Sequence, residues 1–132
     1  MFYENFESNF KKGLKKKDYF NIAAFELHQS AERYYMTTLL VYTDYKPKTH
    51  DLSGLHVRTC KQNSRFKAIF PQQTEEEIRM FTLLKKAYID SRYKIGYEIK
   101  KEELEYLSER VKQLRDLTEE VCREKIGLMK EG

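Results

Sequence analysis

Lys85, Tyr88 and Arg92 are the residues whose types and spacing offer the most chemistry. Tyr88 follows Lys85 by three positions and Arg92 follows Tyr88 by four, so on a helix the three share one face. An Arg fork and a Lys beside an aromatic ring suit a nucleotide, with charge for phosphate and a ring for the base. The plainer alternative puts Tyr88 in the core or a groove and pairs Arg92 with Asp90 or Glu98.

The three histidines offer less. His50 is a candidate base or ligand, but it lies between Thr49 and Asp51 at a helix start, where a local hydrogen bond fixing the turn is the plainer role. His28 sits mid-helix beside Gln29 and near Glu32, which suits an inter-helix hydrogen bond. His56 suggests nothing by itself. No two of the three are spaced i, i+4, so a helical metal site is not expected. Glu26, Glu32, Asp90 and Glu98 show no acid/base spacing, and neither a P-loop nor a Gly-rich phosphate cradle occurs. No catalytic residue, metal or cofactor is assigned.

The elements that must position these residues follow from composition and periodicity. The 132 residues leave room for one domain, and 40% hydrophobic with 35% charged residues supports a folded core. Five Gly and two Pro are too few for an all-β sandwich and fit a few long helices. Cys60 and Cys122 lack metal-ligand spacing. Without a signal peptide they are expected to be reduced thiols in the cytoplasm. No apolar run is long enough to cross a bilayer, so no membrane role is expected. Much of the net charge of +4 comes from Lys11, Lys12, Lys15, Lys16 and Lys17. That cluster reads as a solvated helix end, and a nucleic-acid patch would need aromatics or more cations on the same face.

Phe2, Phe6, Phe10 and Leu14 make an apolar stripe on a first helix. A second helix is predicted over Tyr19–Thr43, capped by Asp18. Its core seam is Ala24, Leu27, Ala31, Tyr34, Thr38 and Val41. A more polar stripe of Phe25, His28, Glu32, Tyr35, Leu39 and Tyr42 is expected at a boundary or interface. Pro47 breaks the chain, and Thr49 is expected to cap a short helix from His50 or Asp51. Another short helix or turn spans Asn63–Phe70. Thr74 and Glu77 form a capping box for a helix carrying Ile78, Phe81, Leu84 and Tyr88 and reaching about Arg92. The last helix starts near Lys101, with Leu104, Leu107, Val111, Leu114, Thr118 and Val121 at heptad spacing. The expected fold is all-α: an antiparallel up-and-down bundle of four main helices plus a short extra helix.

Three pieces resemble the HEPN family, the higher eukaryotes and prokaryotes nucleotide-binding domain. Ala23 to Arg33 is similar to its A-x-F-x-x-x-Q-A-x-E segment. Tyr45 to Leu52 resembles its connection ending in T-H-D/S-L, and Leu83 to Tyr93 its A-Y-x-x-A-R-Y block. The pieces stand in family order, and the resemblance runs from about Asp18 to Ile126.

The resemblance implies a single HEPN domain over 1–132, homodimerisation, and a minimal nucleotidyltransferase domain as partner in cis or in trans. The chain resembles the fused kind, as the C-terminal part excised from a longer nucleotidyltransferase–HEPN chain. The transferase's own signature is absent here. Catalytic HEPN ribonucleases carry R-x4-6-H. Counted from Arg92, the His would fall where this chain has Tyr97, Glu98 and Ile99, and no His follows His56. A tyrosine titrates near ~10 and makes a poor base at neutral pH. The expectation is therefore a non-catalytic prokaryotic domain that holds nucleotide or RNA at Lys85, Tyr88, Arg92 and Tyr97. The alternatives are a divergent ribonuclease of a toxin–antitoxin or phage-defence pair using Tyr97, and a purely structural bundle.

Overall fold

The structure, a computed structural model, describes residues 16–88 and 96–131. All of its regular elements are helical. Helix α1 spans Lys16–Thr43, α2 Leu52–Gln62, α3 Glu75–Lys86 and α4 Lys101–Glu131, with a 3-10 turn at Ser64–Ala68 between α2 and α3. The first apolar stripe, Phe2 to Leu14, lies outside the described residues.

The long pair α1 and α4 forms the main packing, and both run the same way. Lys17 at the start of α1 lies 3.8 Å from Glu98, just ahead of α4. At the far ends, Lys125 sits over the Tyr42 ring. α3 runs the other way: Arg79 in its first half bonds Glu103, and Leu83 further on accepts from Tyr97. Main helices α1, α3 and α4 thus alternate in direction, as an up-and-down bundle requires, and α2 is the short addition.

The heptad residues of α4 are buried as their spacing implies, from Leu104 to Val121. The small residues Ala24 and Ala31 on α1 are also buried, as their seam requires. The second α1 stripe differs from expectation. His28, Glu32, Tyr35 and Leu39 are all buried within the chain. Several polar groups of this stripe meet a specific neighbour: Tyr35 meets His56 at 2.9 Å and Tyr42 meets Asn63 at 3.2 Å. The stripe is therefore no surface for a second copy.

Boundaries shift by a few residues. Asp18 lies inside α1, in its first turn, where it favours the dipole rather than capping. Asp44 ends α1 with a φ of 58°, a left-handed position that Asp tolerates better than most residues. Asp51, not Thr49, caps α2: its Oδ1 accepts the Ser53 N–H. Thr49 Oγ1 accepts the Asp51 N–H one step earlier. The Thr74–Glu77 capping box forms in both directions. α3 buries Met80, Phe81 and Leu84, leaves Ile78 exposed, and ends at Lys86, short of the expected Arg92.

Surface ion pairs tie the periphery. Arg79 bridges Glu76 and Glu103, and Arg65 on the 3-10 turn reaches Glu120 and Glu124 on α4. The exposed pairs add little each; Glu103 differs, being buried at 8% exposure and accepting from both Arg79 and the Lys100 N–H, and the apolar core carries the fold. Leu114→Ala, at a fully buried position, should lower unfolding free energy by roughly 2–5 kcal/mol. Leu128→Ala, on an exposed face, should change it by less than about 0.5 kcal/mol. Urea titrations followed by circular dichroism measure both.

Candidate functional site

The middle of α1 carries Phe25, His28 and Glu32 at spacings of three and four, which stacks them in one column. The connection after α1 brings His50 back to that column. His50 Nδ1 lies 2.9 Å and 3.0 Å from the two Glu32 oxygens. An ionised carboxylate only accepts, so Nδ1 carries the proton. Nε2 makes no hydrogen bond among the described residues. The Glu32 side chain is 9% exposed and that of His50 is 55% exposed, so a buried anchor holds a surface ring.

Tyr88 follows Ala87, the residue that caps α3. Its ring stacks on His50 with centroids 4.5 Å apart and planes 13° apart. It also lies 5.2 Å from the His28 ring and 6.2 Å from Phe25. Lys85 places its ammonium 3.6 Å from Asp51, the residue after His50. One edge therefore gathers a cation, an oriented imidazole and a tyrosine ring, where α1, the start of α2 and the end of α3 meet.

His28 lies beneath this edge, fully buried. Neither ring nitrogen meets hydrogen-bond geometry with a side chain, and Glu32 is 3.8 Å away. Burial pushes its pKa down to about 4, with Glu32 and the His50 backbone opposing in part. It is neutral at pH 7.

The residues expected from sequence fare unequally. Lys85 and Tyr88 do meet the same edge. They do so through tertiary contacts, since Tyr88 lies beyond the end of α3. Arg92 and Asp90 lie outside the described residues. Tyr97 is buried at 6% exposure and its hydroxyl donates to the Leu83 carbonyl at 2.8 Å. That bond fixes the approach to α4. Glu32, His28 and His50 join the site as a group, which spacing along the chain could not reveal. The signal was present in another form: each of the three resemblance pieces supplies one part. Phe25, His28 and Glu32 come from the first, His50 and Asp51 from the second, Lys85 and Tyr88 from the third.

A second polar cluster lies on α2. Cys60 Sγ is 3.6 Å and 3.8 Å from the two nitrogens of His56, which also meets the Tyr35 hydroxyl. Burial pushes the Cys60 thiol up and the His56 imidazole down. Both are therefore held neutral, which is the reverse of an activated thiolate. Among the described residues, no group of His, Cys, Asp and Glu has the geometry of a metal site, and no helix is long and apolar enough to cross a membrane.

The architecture is an all-helical bundle whose polar edge is assembled from three separated segments. The chain belongs to the HEPN domain family, whose model matches residues 2–121. No curated protein matches the sequence.

The His28 shift makes a stability prediction. Its folded pKa lies below the unfolded value of 6.5, so the unfolded state binds more protons between about pH 4 and 6.5. Stability is complete above pH 6.5 and is lost as pH falls through that window. His56, lowered in the same sense, adds to the loss. The urea midpoint should fall from pH 6.5 to pH 5, before most carboxylates protonate. His28→Gln should flatten that slope and leave the part due to His56.

Proposed function

We propose that this HEPN domain binds the phosphate and base of a nucleotide or of single-stranded RNA, and does so without cleaving it. The binding edge is that of His50, Lys85 and Tyr88, with Arg92 following in sequence. The carrying observation is the half-exposed His50 ring, fixed by a buried carboxylate and stacked on Tyr88 next to a lysine. Fixed aromatic faces beside cations are what single-stranded nucleic acid and nucleotides use.

Non-cleavage rests on the family's ribonuclease motif. The positions where its His would fall hold Tyr97, Glu98 and Ile99. The Tyr97 hydroxyl is engaged by the Leu83 carbonyl, which weighs against its serving as a substitute base. One observation favours the ribonuclease reading instead: a His–carboxylate pair whose Nε2 bonds nothing among the described residues has the form of an acid/base dyad.

In this reading the domain is a cytoplasmic homodimer and the partner of a nucleotidyltransferase domain. Exposed Leu40 on α1, and Leu128 and Met129 on α4, supply apolar surface for association.

Short single-stranded RNA, titrated by fluorescence anisotropy in the presence of chelator, tests the binding. Micromolar affinity is expected, with Lys85→Ala weakening it several-fold and the RNA recovered intact. Cleavage lost in His50→Ala or Arg92→Ala would establish the enzyme instead. Light scattering should give twice the 16.0 kDa of one chain. A monomer at high concentration would end the dimer proposal.

A further inference from the structure

Tyr88 is the aromatic residue that sequence spacing selects as the base platform, yet its ring is already engaged. His50 lies flat against it at 4.5 Å and 13°. Phe25 is near-parallel to it at 6.2 Å, and His28 lies at 5.2 Å. A base seeking the face that His50 covers would have to break the contacts of His50 to both Glu32 oxygens.

His50 is differently placed. Its side chain is 55% exposed, while the carboxylate that orients it is 9% exposed. One side of the ring lies on Tyr88. Its rotation is fixed by Nδ1, so little freedom is left to lose when a ligand arrives. Lys85 is held 3.6 Å from Asp51, the next residue in the chain, by an exposed ion pair that a phosphate can replace.

We propose that His50, rather than Tyr88, is the nucleobase platform of this domain. The base extends the Tyr88–His50 stack outward, and Lys85 exchanges Asp51 for the phosphate of the same nucleotide. The ligand class is a nucleoside monophosphate or a single unstacked nucleotide of an RNA strand. Tyr88 and Glu32 are positioning residues that act through His50. This inference rests on the nucleotide-binding reading above and names the atoms that would meet the base.

Calorimetry of the full chain with AMP and with ribose 5-phosphate separates base from phosphate. The wild type should bind AMP more tightly than ribose 5-phosphate. His50→Gln, which retains a donor for Glu32 but no ring, should weaken AMP by roughly 5- to 100-fold and leave ribose 5-phosphate unchanged. His50→Phe, which retains the ring but not the bond to Glu32, should keep more of the AMP affinity than His50→Gln. Adenine H2 and H8 resonances should move upfield on binding to the wild type and to His50→Phe, and not with His50→Gln. Circular dichroism checks that each variant is folded. Undiminished AMP affinity in His50→Gln, or equal losses for both ligands, would overturn the platform while leaving the binding reading intact. If the wild type binds neither ligand, nor RNA, both proposals fall.

Discussion

The pair that everything at this edge depends on is Glu32 with His50. A carboxylate held inside a protein carries a desolvation penalty of several kcal/mol, which only close, well-placed donors offset. His50 supplies such a donor to both oxygens of Glu32. The bond joins residues 18 apart in sequence and fixes the whole connection between α1 and α2. Asp44 begins the reversal in a left-handed conformation, and Pro47 is buried along the way. The start of α2 is then set two residues after His50, with Asp51 capping it. Tyr88, just past α3, closes over the His50 ring and brings the end of α3 to the same place. One hydrogen-bonded pair thus registers three helices against each other.

The same logic extends along α1. Glu32 meets His50, Tyr35 meets His56, and Tyr42 meets Asn63. Successive positions on α1 meet successive positions on α2 and its cap, so the two run side by side in one direction. On its other flank α1 uses Ala24 and Ala31 to approach its neighbours closely. The helix is divided in function: the small residues on one side fix distance, and the polar contacts on the other fix register. Apolar packing tolerates small slips, whereas each hydrogen bond here is lost outright if α2 moves by a residue.

This division explains what could be read from the sequence. The heptad seam of α4 and the Thr74–Glu77 box were legible because each is a local pattern with one physical meaning. The polar stripe of α1 was misread as a boundary because hydropathy scores His28, Glu32 and Tyr35 without knowing their partners. Burying them requires α2 and Tyr88, which are distant in sequence. The end of α3 was placed too late for a related reason. Periodicity carries Tyr88 onto the face of Lys85, but Ala87 already caps the helix and the His50 stack takes Tyr88 instead. Lys85 and Tyr88 were thus right as neighbours and wrong as to cause. Tyr97 was singled out by counting from Arg92, and a count carries no information on where a hydroxyl points.

A sequence shaped only for stability gains nothing from a buried neutral histidine whose ring nitrogens meet no side chain at hydrogen-bond distance. His28 is such a residue, fully buried and with burial working against its charged form. Leucine would fill similar space without a polar atom to desolvate. What His28 does have is position: it lies under the Tyr88 ring and 3.8 Å from Glu32, the two groups that hold His50. A neutral imidazole there adds a dipole beside the carboxylate without adding a charge that would compete with His50 for it. Phe20, Leu27 and Ala31 around the same stretch of α1 are buried and apolar. Other buried polar groups occur in the core, Asn21, Thr59 and Thr118 among them, but His28 is the one that lies in ring contact with Tyr88 and beside Glu32, behind the exposed His50 ring.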